Sequence, residues 1–191
     1  VLSDCSNEEF KSAEELLFKI AEKRFDELNL NPEFSFYERE KLLGINGKRT
    51  QSLLYKFLEE ERKNKDGYVP EFFELSFGKV KHEEKFSKKF KEGVIAGSVK
   101  LKGKIDRIDI NEKEKTLKVI DYKLGGTKPT AEDLSNGISL QLPLYLFAAK
   151  ELIRNELGDE YKSVNSRIYR PADAQIFSLK YNEKDFGKKS I

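Results

Sequence analysis

Cysteine is almost absent from this chain, and its scarcity limits the chemistry that the protein can perform. The 191 residues include one cysteine, Cys5, so no disulfide can form within the chain. Secreted domains of this size often depend on several disulfides, whereas reducing compartments keep thiols free. The composition therefore predicts a cytoplasmic protein in which Cys5 is an ordinary thiol near the N-terminus.

Long hydrophobic runs and a large net charge are also missing. No apolar run approaches the ~20 residues that span a bilayer, and no N-terminal signal sequence is evident, so no membrane partner is expected. The 36 Lys and Arg residues nearly balance the 34 Asp and Glu residues, which leaves a net charge of +2. Affinity for nucleic acid would therefore have to come from local lysines or bound metal ions.

Methionine is absent as well, and the chain begins with Val1. These two features predict a fragment of a longer protein. The length is sufficient for one domain with a hydrophobic core.

The first third of the sequence predicts helices. Ser6 and Glu9 form a capping-box pattern ahead of apolar residues at helical spacing, which predicts a helix over 7–28. The residues NLNPEF should end it, and a second helical region is expected over 38–63 with an interruption at Asn46-Gly47. Residues 1–69 are therefore expected to form a helical lobe or insertion of the domain.

Strand patterns begin at Pro70. The segment EFFELSF alternates with a period of two and should place Phe73, Leu75 and Phe77 on one face. Further strands are predicted in VIAGSVKLKGKIDRIDI, in TLKVIDYK after a polar NEKEK turn, and in Ala174–Tyr181. The apolar segment Ile138–Leu157 predicts a helix. Together these elements predict an α/β core over 70–191, with a mixed central sheet flanked by helices.

One highly charged connection, Gly78–Gly93, lies between the predicted strands and contains the only histidine, His82. Its lysines suit contacts with DNA phosphates. Its interleaved glutamates equally suit an ordinary solvated surface, so both interpretations stay open.

Carboxylates interrupt the two strands that flank the NEKEK turn. Because side chains alternate along a strand, Asp121 and Lys123 should share one face at the end of an apolar strand. Asp106 lies on the preceding strand, across the hairpin. The geometry can therefore bring both carboxylates and the Lys123 ammonium group to one point.

Two adjacent carboxylates repel each other unless a cation lies between them. Mg²⁺ prefers oxygen ligands and retains several waters, and the backbone carbonyl of Tyr122 is a candidate third ligand. Such an ion would acidify a bound water and neutralise charge on a phosphate, with Lys123 positioning the water or the phosphate. The pattern suits phosphodiester hydrolysis, although a structural ion-pair network would use the same residue types.

Two further acids are candidates with simpler explanations. Asp109 suits a partner of Arg107 better than a metal ligand. Glu74, in the first predicted strand, is either a further acid of the site or a solvated residue at a strand end.

Three motifs in order resemble those of the PD-(D/E)xK nuclease superfamily. GKID, DYK and QLPLY match the G-x-x-D, D-Y-K and Q-x-x-x-Y patterns of its RecB-like branch. The surrounding residues are most similar to the C-terminal nuclease domain of AddB-type subunits of bacterial helicase–nuclease complexes. The resemblance covers about residues 70–181 and implies a restriction-endonuclease-like fold.

The resemblance also implies roles for individual residues. Asp106 and Asp121 match the metal-binding carboxylates, Lys123 matches the catalytic lysine, and Gln141 and Tyr145 match the pair near the DNA backbone. The implied function is a DNA exonuclease that uses Mg²⁺ or Mn²⁺. It would act with a helicase–nuclease partner subunit in double-strand break repair and recombination.

The chain departs from the family in two respects. The branch usually has a His or Glu of its first motif on an upstream helix; here no such helix carries a His, and that motif is expected before residue 1. Many AddB-type domains also hold an iron–sulfur cluster with four cysteines, whereas this chain has only Cys5. Such a cluster cannot form within this chain. Two alternatives therefore stay open: a stand-alone RecB-like exonuclease, and a non-catalytic DNA-binding or assembly module that retains the fold.

Overall fold

The structure is a computed structural model that describes residues 1–28, 31–78, 89–90, 93–123, 130, 132–133, 136–158, 160–170 and 175–180. It divides into two compact units, one containing Val1–Gly67 and the other containing Tyr68–Arg170 and residues 176–180. Within the described part of the chain, no helix is long and apolar enough to cross a membrane. His82 and most of the charged connection that contains it lie outside the described residues.

The first unit contains three helices, α1 (Asn7–Glu27), α2 (Pro32–Leu43) and α3 (Leu53–Lys63). The capping box is present, because Ser6 Oγ accepts from Glu9 N at 3.2 Å and Glu9 Oε2 accepts from Ser6 N at 2.8 Å. The predicted break is also present, as two 3₁₀ turns separate α2 from α3. The predicted start of the second helical region at residue 38 was wrong. Proline is tolerated at a first helical position, so α2 begins at Pro32.

The second unit is built on a six-stranded sheet. Its strands are β1 (Val69–Phe77), β2 (Lys89–Phe90), β5 (Gly103–Asn111), β6 (Thr116–Tyr122), β7 (Lys162–Arg170) and β8 (Gln175–Lys180), in the spatial order β2-β1-β5-β6-β7-β8. β1, β5 and β6 pair antiparallel, whereas β2 with β1 and β7 with β6 pair parallel. A separate hairpin is formed by β3 (Val94–Ala96) and β4 (Val99–Leu101). The prediction of an α/β fold with a mixed central sheet is confirmed.

One long helix, α4 (Gln141–Leu157), connects β6 to β7 and packs against the sheet. Ala148 and Ala149 are fully buried, and such small side chains let the helix approach the strands closely. Pro143 lies in the first turn of α4, where proline is tolerated. β7 was missed in the sequence, since KSVNSRIYR lacks a clear alternation of apolar and polar residues.

The alternation of side chains slips at one point in β1 and β5. Phe72 and Leu75 are both in the hydrophobic core, although they are three residues apart, and Phe73 is 53% exposed. The predicted placement of Phe73 with Leu75 was therefore wrong. The cause is Glu74, whose φ of +52° is unusual for a residue with a side chain. Opposite it, Asp106 lies between the core residues Ile105 and Ile108 of β5.

The other face of β5 carries a buried ion pair. Arg107 and Asp109 are 3% and 1% exposed, and the guanidinium group donates two hydrogen bonds to the carboxylate, at 2.6 and 2.9 Å. Arg107 Nη1 also donates to the hydroxyl of Tyr122 on β6 at 3.2 Å. This arrangement agrees with the expectation that Asp109 pairs with Arg107.

We expect Asp109→Ala to lower the free energy of unfolding by about 3–5 kcal/mol, because it leaves the Arg107 guanidinium group buried without its carboxylate partner. The Arg107→Met/Asp109→Leu double variant removes both charges and should recover most of that loss. Urea denaturation followed by circular dichroism measures both changes. A double variant as unstable as the single variant would show that packing, rather than the unpaired charge, dominates.

Candidate active site

The candidate site lies where β5 and β6 stop pairing. Their antiparallel register runs from Asn111 opposite Thr116 to Arg107 opposite Ile120, and the next residues along each strand are Asp106 and Asp121. Beyond this point the backbone amide of Tyr122 donates its hydrogen bond to a side chain instead of to the backbone of β5. The acceptor is Asp106 Oδ2, at 2.9 Å. The end of the ladder therefore turns both acids towards one region.

Asp121 occupies a buried position with an incomplete set of partners. The residue is 3% exposed, and its Oδ1 accepts a 3.3 Å hydrogen bond from Gln141 Nε2. Its Oδ2 is 3.0 Å from Lys123 Nζ but receives no hydrogen bond from the part of the chain described. Buried carboxylate oxygens normally have such partners, so this oxygen has the capacity to bind a further ligand.

Lys123 and Gln141 connect the end of β6 to the first residue of α4. Lys123 Nζ donates to Gln141 Oε1 at 3.1 Å, and this lysine side chain is 40% exposed. The amide of Gln141 thus bridges the carboxylate of Asp121 and the ammonium group of Lys123. The structure brings together Asp106, Asp121, Tyr122, Lys123 and Gln141 among the residues that the sequence predicted for the site.

Tyr145 lies one turn further along α4 and makes a different kind of contact. Its ring meets that of Phe77 edge to face, with centroids 6.4 Å apart, and packs against the core. None of its described contacts is with the two carboxylates. A Cβ atom at Gly103 would lie 3.2 Å from both rings, so the glycine of GKID gives Tyr145 the space it occupies.

Burial raises the pKa of Asp106 above the ordinary value of 3.8. The hydrogen bond from the Tyr122 amide opposes this shift, the charge of Asp121 reinforces it, and Lys123 and Lys104 oppose it. Ionising Asp106 in the metal-free protein therefore costs more free energy than ionising an exposed aspartate. A cation between the two acids would remove that cost.

The residues present fit a hard divalent cation with few protein ligands. In the described part of the chain, no group of three His, Cys, Asp or Glu side chains is arranged to hold a metal ion. Mg²⁺ is commonly held by one or two carboxylates together with waters and substrate phosphates. Asp106, Asp121 and the carbonyl of Tyr122 match that donor set, and the buried Asp121 Oδ2 has a free position.

The sequence of the chain matches the PD-(D/E)XK nuclease superfamily over residues 3–189, and the chain belongs to this superfamily. Members generally use divalent metal ions. This finding confirms the resemblance that the three motifs indicated.

The chain is also similar to curated proteins that are named as subunits of an ATP-dependent helicase/deoxyribonuclease, in agreement with the AddB-type resemblance. The Lactobacillus johnsonii protein is 32% identical over 138 residues, covering 66% of this chain and 12% of that protein. The Lachnoclostridium phytofermentans protein is 45% identical over 92 residues, covering 47% and 8%. The Clostridium acetobutylicum protein is 28% identical over 181 residues, covering 90% and 15%. The chain thus spans a small part of the length of these relatives.

Replacing Asp106 by Asn should stabilise the metal-free protein at neutral pH. Because the folded state holds the proton of Asp106 more tightly than the unfolded state, the stability of the parent falls as pH rises from about 4 through the raised pKa. The substituted amide does not ionise, yet its oxygen can still accept from Tyr122 N. Thermal melting in EDTA should show a stability advantage for Asp106→Asn that grows from pH 4 to pH 7. An advantage that is independent of pH would contradict the shift.

Gly103→Val should disturb Tyr145 and Phe77, because its side chain would overlap the space that both rings occupy. Overpacking of this kind costs about 1–3 kcal/mol. Near-ultraviolet circular dichroism and the unfolding midpoint measure the change. Ser98→Val, in the exposed turn between β3 and β4, introduces the same side chain away from the rings and is the control. Equal stability of the parent and Gly103→Val would show that the rings can move aside without loss.

Proposed function

We propose that this chain is a metal-dependent deoxyribonuclease domain, in which Asp106 and Asp121 hold Mg²⁺ or Mn²⁺. The observation that carries the proposal is the buried Oδ2 of Asp121, which lacks a hydrogen bond within the described residues and lies beside Lys123 and close to a second acid. This oxygen has an ion-pair contact with Lys123 Nζ at 3.0 Å but accepts no hydrogen bond among the described residues, so it can accept a metal ion as a further ligand.

The ion, when bound, would lower the pKa of a water ligand and neutralise charge on the scissile phosphate. The residues of the chain supply the remaining functions. Gln141 holds the Lys123 ammonium group beside Asp121, where it can orient a phosphate oxygen or a water molecule. The Tyr122 amide orients Asp106 through its hydrogen bond to Oδ2.

We further propose that the domain acts as an exonuclease on DNA within a helicase–nuclease complex for double-strand break repair. This proposal is supported by the names of the relatives, which combine a helicase and a deoxyribonuclease. A partner subunit is part of the same proposal.

The alternative is a non-catalytic DNA-binding or assembly module with the same fold. It is favoured by the absence, among the described residues, of a third acid or histidine in a metal-binding arrangement. Metal titration and cleavage assays distinguish the two functions.

We expect Mn²⁺ titrated into the 191-residue chain to give a calorimetric binding signal that disappears in Asp106→Asn/Asp121→Asn. Glu114→Gln, an exposed acid in the turn at the other end of the same hairpin, is the matched control and should bind as the parent does. A parent protein that binds no metal would favour the non-catalytic module.

Cleavage should depend on Lys123 as well as on the metal. Lys123→Gln is expected to lower the cleavage rate by about 10²–10⁴-fold, the range typical of a positioned proton-transfer group, while metal binding is retained. Linear end-labelled DNA and covalently closed circular DNA are compared in the same assay. Cleavage of the closed circle would contradict the exonuclease assignment, and an unchanged rate in Lys123→Gln would contradict the role of Lys123.

A further inference from the structure

Three lysines lie at alternate positions on the segment that leads from the β3–β4 hairpin into β5. Lys100 is in β4, Lys102 follows it, and Lys104 is in β5, two residues before Asp106. Alternate residues of an extended segment are about 6.6–6.8 Å apart. This spacing is of the same order as the distance between successive phosphates along an extended nucleic-acid strand.

The residues between these lysines define the face on which the lysines lie. Leu101 packs against the hydrophobic core, and Gly103 lies against the rings of Phe77 and Tyr145. Because side chains alternate along an extended chain, the three lysines share the opposite face. We call Lys100, Lys102 and Lys104 the lysine row.

Two members of the lysine row are exposed cations. Lys100 and Lys102 are exposed, and neither has a carboxylate partner among the residues that the structure describes. Among the described residues, the lysine row therefore forms a local positive surface on a chain whose net charge is only +2.

Two close backbone contacts hold the lysine row in place. A Cβ atom at Gly93 would lie 2.4 Å from the carbonyl oxygen of Leu101, and one at Gly78 would lie 2.7 Å from Lys102 Cβ. Only glycine permits such an approach. The backbone at Gly78 and Gly93 thus packs directly on the segment that carries the lysines. The segment is therefore already ordered, and binding a ligand would cost little backbone entropy.

The third lysine connects the row to the candidate active site. Lys104 forms an ion pair with Glu74, the residue with the left-handed φ opposite Asp106. The Lys104 side chain remains 32% exposed.

We propose that Lys100, Lys102 and Lys104 bind successive phosphates of a nucleic-acid strand and lead it, along the sheet face away from the core, to Asp106 of the candidate site. This inference rests on the proposed function, because it names the surface through which the substrate of that site is held. The contacts are with the backbone, so binding is independent of base sequence.

The test measures binding without cleavage. Fluorescence anisotropy of a labelled single-stranded oligonucleotide of mixed sequence is recorded in EDTA over a series of salt concentrations, with the full 191-residue chain. Lys100→Gln/Lys102→Gln keeps most of each side chain and removes two charges. We expect weaker binding and a plot of log K against log[salt] that is less steep by about 1.4, since each phosphate contact on a single strand contributes about 0.7.

The matched control removes two charges elsewhere on the same sheet. Lys113 lies in the β5–β6 turn and Lys162 begins β7, both exposed at the end of the sheet away from Asp106. Lys113→Gln/Lys162→Gln should retain most of the parent's affinity and salt dependence. An equal loss of affinity in this control would show a general effect of charge and would overturn the role proposed for the lysine row.

A second variant should change the affinity in the opposite direction. Glu74→Gln removes the negative charge beside Lys104, so the positive potential of the lysine row rises and binding should tighten. Weaker binding in Glu74→Gln would contradict the role assigned to Lys104.

The outcomes separate this inference from the proposed function. A parent protein that binds no oligonucleotide in EDTA overturns the lysine row alone, because the proposed nuclease site needs its metal ion to hold a phosphate. A parent that binds DNA, with Lys100→Gln/Lys102→Gln binding equally well, overturns the lysine row and leaves the nuclease proposal standing. Mn²⁺ titration of the double variant should match the parent, because neither lysine contacts the carboxylates.

Discussion

The candidate site depends on one irregularity that β1 and β5 share. Regular alternation would place Ile105 and Ile108 on opposite faces, yet both belong to the core. The slip between them leaves Asp106 between the two faces, at the point where β5 separates from β6. There its carboxylate accepts the Tyr122 amide hydrogen. Without this slip, Asp106 would follow Lys104 onto the face away from Asp121.

Such an irregularity is costly, and the neighbouring core can offset the cost. A left-handed φ at a residue like Glu74 costs about 1–3 kcal/mol. On either side of the slip, Leu75 and Ile105 are fully buried, and each such side chain contributes about 1.5–3 kcal/mol. The two strands also slip together, since Phe73 pairs with Arg107 and Leu75 pairs with Ile105. The register is therefore kept, and the core continues without interruption past the site.

The opposite face of the sheet supports the same residues. Arg107, held by Asp109, donates to the hydroxyl of Tyr122. Tyr122 is thus fixed through its side chain on one face, while its backbone amide binds Asp106 and its carbonyl is a candidate metal ligand. A buried ion pair contributes little net stability compared with apolar residues. Its value here is positional, because it limits the movement of the strand that carries Asp121 and Lys123.

Local patterns made much of this architecture predictable from the sequence. The capping box, the break near Asn46, the NEKEK turn and the α4 segment all follow from short-range rules, and the hairpin geometry brought Asp106, Asp121 and Lys123 to one end. Three features escaped prediction for one reason. The buried orientation of Leu75 without Phe73, the pairing of Glu74 with Lys104, and the place of β7 between β6 and β8 all depend on contacts between distant segments. Alternation along a single strand contains no sign of a slip that a neighbouring strand must share.

The small number of protein ligands at the candidate site has a thermodynamic consequence for the proposed function. Two carboxylates repel a phosphate, so the metal-free site opposes DNA, and a chain with a net charge of +2 offers little compensation at long range. A divalent cation at Asp106 and Asp121 would reverse the sign of the local charge, and a phosphate oxygen would complete its coordination. Linkage then requires that each ligand raise the affinity for the other by the same factor. A site with two acids and an available Asp121 oxygen is therefore suited to bind a metal ion weakly without substrate and tightly with substrate. A third protein acid would raise the affinity for the metal ion in the absence of substrate and would weaken that coupling.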